Sequence, residues 1–204
     1  MSVVLDHLVV AAASLEQGVA WCEAVLGVTP GPGGKHPLMG THNRLVGLGD
    51  VYLEVIAPDS DALSPGRARW FDMDRFTGPP RLTHWIASTD DLVAELALGP
   101  IGIGAAVALA RGDYRWQMAV PESGRLPFDG GFPALIEWQG AAHPAAALPD
   151  NGLRLTRLEI AHPEALALRL ALKGRLSDPR VEVVAGPLAL RATVATPAGF
   201  CVLE

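Results

Sequence analysis

Residues 5–16, LDHLVVAAASLE, align without a gap on residues 82–93, LTHWIASTDDLV, and the pairing lays His7 on His84. In both copies a leucine follows the histidine by eight positions, Leu15 in the first and Leu92 in the second. Each copy later closes on an apolar stretch with a single glutamate: VYLEVI carries Glu54 and ALIEW carries Glu137. Two imidazoles and two carboxylates are a full ligand set for a divalent transition metal, provided the fold brings the copies face to face.

The pattern returns at the C-terminus as GLRLTRLEIAHPEALALRLALKG followed by GFCVLE, residues 152–174 and 199–204. Its spacing puts Arg157 where His7 stands and Glu204 where Glu54 stands. A guanidinium is a donor only and ligates no metal. This copy is therefore expected to replace the metal by an Arg157–Glu204 ion pair on adjacent strands.

Each copy opens on an alternating apolar strand and continues into a helix with its own start and stop. Ser14 and Gln17 make a capping-box pattern, Leu15, Val19, Cys22 and Leu26 recur at helical spacing, and Gly27 is the stop. The second helix starts at Asp90 or Asp91 and stops at Gly99; the third has Pro163 in its first turn and Gly174 as its stop. Three strand candidates follow each helix: near Val28, 41–48 and 51–56; then 105–109, 114–120 and 134–138; then 181–184, 188–195 and 200–203. Gly49-Asp50 is a tight hairpin, whereas residues 121–133 form a long glycine-rich connection, and 58–80 and 139–151 read as linkers.

Strand parity then sorts the side chains. In the first strand Leu5, His7, Val9 and Ala11 share one face, and Leu8 and Val10 share the other, where the helix packs. Tyr52, Glu54 and Ile56 form the matching face of the closing strand, and His84 and Glu137 are assigned likewise. His36, His42 and Asn43, in GGKHPLMGTHN, enter a strand that lines the first copy's concave side, but parity admits only one of His42 and Asn43. His143 and His162 precede prolines and are expected to be structural, and Arg125 to be a solvated loop charge that an anionic substrate alone would recruit.

Composition narrows the function classes. A length of 204 residues allows one large domain or two small ones, and the formal charge of −6 offers no basic face for nucleic acid. The opening MSVVLDHLVVAAASLEQ has no basic leader, and Asp6, His7 and Glu16 interrupt its apolar run. It matches neither a signal peptide nor a membrane span, so a cytoplasmic protein is expected. Cys22 and Cys201 lie in no metal or redox motif and are expected to be buried free thiols.

These residues resemble the vicinal oxygen chelate superfamily, and residues 5–28, 36–59 and the closing ALIEW look like its glyoxalase-like subgroup. The resemblance implies an α+β fold of βαβββ modules. Modules one and two, residues 1–140, would pair into a mixed-sheet cup, with a degenerate third module at 150–204. It implies one divalent metal ion (Zn, Ni, Mn or Fe) held by His7, Glu54, His84 and Glu137. The implied activity is isomerase or lyase proton transfer on a small oxygenated substrate chelated to the metal, with Glu137 or Glu54 moving the proton and His42, Asn43 or Tyr52 touching substrate. Two alternatives remain open: an Fe(II) ring-cleaving dioxygenase using His7, His84 and Glu137, and a non-catalytic binder of small molecules. An odd third module leaves a free sheet edge, so a homodimer is expected.

Overall fold

The computed structural model describes residues 3–204. The first unit runs β1 (Val4–Ala11), α1 (Leu15–Leu26), β2 (Lys35–His36), β3 (Thr41–Gly47) and β4 (Tyr52–Pro58); the second runs β5 (Arg81–Ser88), α2 (Leu92–Leu98), β6 (Ala105–Arg111), β7 (Tyr114–Val120) and β8 (Ala134–Trp138). After the four-residue α3 (Pro144–Ala147) come β9 (Arg154–His162), α4 (Ala165–Leu172), β10 (Val181–Ala185), β11 (Ala189–Thr196) and β12 (Gly199–Leu203). Among the described residues no helix is long and apolar enough to cross a membrane.

Capping follows the sequence closely. The Ser14 side chain accepts from the Gln17 N–H, Gly27 ends α1 at φ 70°, and Asp91 caps α2 by accepting from the Ala94 N–H. Gly18 lets α1 settle on β4, because a Cβ there would stand 2.5 Å from Val55 Cγ1. The second strand differs: it forms at Lys35–His36 rather than near Val28.

The first two units join into one curved eight-stranded sheet in the order β2-β3-β4-β1-β5-β8-β7-β6. β1 runs parallel to β4, β5 runs parallel to β8, and antiparallel pairing of β1 with β5 welds the halves. Leu8, Val10, Leu53, Val55, Trp85 and Leu135 face the helices in one apolar core. Val9, Ile56, Ile86 and Ile136 face the concave side, where Trp70, Phe71 and Met73 from the 58–80 connection pack on them. That connection is therefore a plug rather than a linker.

The third unit keeps the element order but not the wiring. Its sheet runs β10-β9-β11-β12, so the opening strand β9 lies between β10 and β11 and the closing strand β12 sits on the edge. β12 buries only Leu203 and exposes Phe200 and Val202. Arg157 and Glu204 are consequently not neighbours, which corrects the expected ion pair. Arg157 meets Glu182 and Glu159, and Glu204 meets Arg191. Leu158, Ile160, Leu190 and Leu203 share the helix-side core with Leu8 and Trp85, so the two sheets are built on one interior. Cys22 is a buried free thiol pushed up to about 12 by burial, and Cys201 is a half-buried one.

Candidate functional site

The site grows from an irregularity in β1. Pairing with β5 shifts register between Leu5 and His7, leaving Asp6 as a bulged residue. Strict alternation is broken there: Leu5 joins Leu8 and Val10 in the helix-side core, contrary to the parity expectation, while His7 keeps its place on the concave face. Asp6 is 3% exposed and fully partnered. Its Oδ1 lies 2.6 Å from His7 Nδ1, and its Oδ2 accepts from Trp138 Nε1 at 2.9 Å and lies 3.1 Å from His143 Nε2.

This network fixes the histidine tautomers. His143 Nδ1 accepts from the Ala145 N–H at the start of α3, so its Nε2 carries the proton donated to Asp6. Burial alone would raise the Asp6 carboxyl, but the hydrogen bonds from His143 and His7, together with their charges, hold it well below the usual carboxylate range. An ionised Asp6 accepts from His7 Nδ1–H, which turns the Nε2 of His7 inward, 3.8 Å from Glu54 Oε2. Tyr52 stacks on the His7 ring at 4.3 Å and 14° and serves as its platform.

Glu54 is held from the other side. The Asn43 amide donates to Glu54 Oε1, and the Gly34 N–H donates to Asn43 Oδ1 at 2.8 Å, which sets the amide's orientation. A Cβ on Gly33 would stand 2.0 Å from the Asn43 carbonyl oxygen, so the Gly33-Gly34 pair is what lets this loop close on Asn43. Gly33→Ala is accordingly expected to destabilise by roughly 1–3 kcal/mol through overpacking, read by urea denaturation. An unchanged midpoint would show that the loop yields freely. Parity resolves in favour of Asn43, which is 1% exposed. His42 pairs with Ala57, a helix-side residue, and lies off the concave face.

His7, Glu54, Tyr52, His36 and Arg111 line a cavity of about 20 Å³ closed by Trp70, Phe71, Trp116 and Ile136. Such a volume takes about one water. The His36 Nδ1 contacts Thr41 Oγ1 at 3.1 Å, and burial pushes its pKa down to about 4. Neither Arg111 nor the Asp6–His143 pairing was visible to pattern reading, because both are brought in from distant segments. His162, by contrast, accepts from the Glu164 N–H and is structural, as expected.

The second half of the expected ligand set does not assemble. β8 turns Ile136 to the concave side and Glu137 to the helix side, where its Oε2 accepts the Leu92 N–H at 2.7 Å and caps α2. His84 does share the concave face, pairing with Val9 one step diagonal from His7. The Phe71 ring, 5.2 Å from that of His84, lines the walls of both histidines' cavities. Among the described residues no three His, Cys, Asp or Glu side chains gather as metal ligands. The chain thus supplies one facing pair, His7 and Glu54, and does not fit the four-ligand set.

A family described as a glyoxalase-like domain matches residues 5–176. Among solved structures, a hypothetical protein from Staphylococcus aureus is 13% identical with a TM-score of 0.64, covering 91% of this chain and 87% of its own. Methylmalonyl-CoA epimerase from Mycobacterium tuberculosis is 20% identical with a TM-score of 0.43, covering 68% of this chain and 88% of its own. A variant of the Streptomyces coelicolor methylmalonyl-CoA epimerase, in complex with 2-nitronate-propionyl-CoA, is 17% identical with a TM-score of 0.44, covering 68% of this chain and 97% of its own. Among curated proteins nothing matches. With most of its length matched, and the repeat and curved sheet in place, the chain belongs to the glyoxalase-like domain family.

Proposed function

We propose that this chain is an enzyme that moves a proton on carbon of a small oxygenated substrate, in the manner of an isomerase or lyase, with Glu54 and His7 as the acid and base. The observation that carries the reading is the 3.8 Å face between Glu54 Oε2 and His7 Nε2. Asp6 holds His7 by its Nδ1 and turns its Nε2 toward the Glu54 carboxylate across a gap that a water or a small cation would bridge. An imidazole and a carboxylate that face each other in a water-poor cavity are placed to take a proton from a carbon between them and return it. Arg111 lines the same cavity and would stabilise an enolate oxygen. Asn43 orients the Glu54 carboxylate. Substrate enters by displacement of the 70–75 segment, which closes the cavity with Trp70 and Phe71.

No step here runs through a metal, since Glu137 caps α2 and leaves His7 and Glu54 as the converging donors. The same geometry disfavours a ring-cleaving dioxygenase, whose third ligand would be Glu137. A cytoplasmic homodimer, covering the β12 edge with its exposed Phe200 and Val202, completes the proposal.

The test is deuterium uptake from D2O into a panel of 2-oxo acids and acyl thioesters, followed by proton NMR. Wild type is expected to exchange the hydrogen next to the carbonyl, and Glu54→Gln and His7→Ala to slow exchange by about 10²–10⁴-fold. Equal exchange by wild type and Glu54→Gln would end the reading. A binder without catalysis, the second reading, is favoured by how fully aromatic side chains fill the cup; it predicts ligand binding with no exchange above buffer.

A further inference from the structure

A second, larger cavity of about 570 Å³ opens between the rim of the cup and the C-terminal sheet. That volume lies in the range of small-ligand sites, about 300–1,000 Å³. Its walls come from separate parts of the chain: the 71–76 and 125–129 segments, the start of β5, and residues 188–190 with Glu204. Phe71, Phe76, Leu126, Leu188 and Leu190 give it an apolar body.

Three guanidiniums, Arg75, Arg81 and Arg125, and three carboxylates, Asp72, Asp129 and Glu204, line it, and their pairing leaves one guanidinium over. Asp72 pairs with Arg75, Asp129 pairs with Arg125, and Glu204 pairs with Arg191. Among the described residues, Arg81 alone is left over of the guanidiniums in the wall. Its Nη1 donates to the Thr77 and Pro79 carbonyls, and its plane lies over the Phe76 ring at 4.4 Å. Those contacts fix the guanidinium while its Nε and Nη2 donate to no group among the described residues, a fork suited to a carboxylate.

The inner wall holds an unmet polar group. His84 is 7% exposed and lines the cavity, and its Nδ1 is buried with no hydrogen-bond partner among the described residues. Leaving a buried nitrogen orphaned costs its full desolvation; the atom itself is covered, so a ligand in the cavity packs against the His84 ring rather than on that nitrogen. Two turns beside it are strained: Phe71 and Asp72 stand at φ 57° and 52°, and Phe128 and Asp129 at 54° and 50°. Side chains of this size rarely adopt the left-handed region, and such strain collects at ligand clamps.

We propose that this cavity binds a small organic carboxylate with an apolar body, its acid group on Arg81 and its far end against His84. The inference stands independently of proton transfer in the cup. It is tested by titration calorimetry with phenylacetate, phenylacetamide and phenethylamine. Phenylacetate is expected to bind at least tenfold more tightly than the neutral amide or the amine, and Arg81→Met to weaken phenylacetate at least tenfold while leaving the amide unchanged. Arg81→Lys, which keeps the charge and loses the fork, should fall between and serves if the methionine variant does not fold. Histidine-selective NMR should show the His84 ring shifting on addition of phenylacetate. No binding at millimolar phenylacetate, equal affinity for acid and amide, or an unmoved His84 would each overturn the assignment.

Discussion

Acidification from pH 6.5 toward pH 4 is expected to cost the fold about 3 kcal/mol for each of two histidines, His36 and His84. Both rings are buried, and burial pushes each pKa down to about 4, against opposing pulls from Glu54 on His36 and Asp72 on His84. The unfolded chain takes up each proton near the ordinary value of 6.5, whereas the folded chain refuses it until about 4. Between those values the unfolded state binds more protons, so stability rises with pH across the window. The contribution is whole above pH 6.5 and is lost as pH falls toward 4. Asp6, held below its usual range, adds a loss of the same direction at still lower pH. Urea denaturation at pH 7.5, 6.5, 5.5 and 4.5, at fixed ionic strength, should show a falling midpoint at constant m, and His84→Phe should remove about half of the slope. A midpoint that holds steady from 6.5 to 4.5 would mean that both rings accept protons inside the folded chain.

The sequence carried the fold further than it carried the site. The aligned histidines at 7 and 84, the Ser14 and Asp91 caps and the Gly27 stop marked two like units, because caps and apolar periods are local. Glu54 was legible for the same reason: its strand alternates without interruption. Glu137 was not, since aligning ALIEW on VYLEVI by its glutamate ignores which residue faces the sheet's concavity, and Ile136 takes that face. Asp6 escaped because a bulge defeats parity, and His143 because its partner lies 137 residues away. The third copy misled in a different way. Element order repeats in it, but the order of elements along the chain does not set which strands pair, and here β9 lies between β10 and β11 with β12 on the edge.

Removing Arg175 is expected to destabilise the protein by roughly 3–5 kcal/mol, because it strands a carboxylate in the interior. Glu95, on α2, is 3% exposed at its side chain, and Arg175, just past α4, is 13% exposed. The guanidinium donates to Glu95 Oε2 from Nη2 at 2.6 Å and from Nε at 2.8 Å, a contact that ties the C-terminal unit to the second half of the cup. It also donates to the carbonyls of Glu95 and Leu98, at 2.9 and 3.1 Å, which would otherwise be open at the end of α2. Two separable effects are therefore at stake. Arg175→Met removes both, leaving an unpaired charge and unmet carbonyls. Adding Glu95→Leu removes the charge but not the carbonyl loss, so the double variant should recover most of the stability if the stranded carboxylate dominates. Chemical denaturation of the two variants beside wild type decides the matter. Equal losses in single and double would assign the effect to the helix end, and the ion pair would then contribute nothing of its own to holding the two sheets on one core.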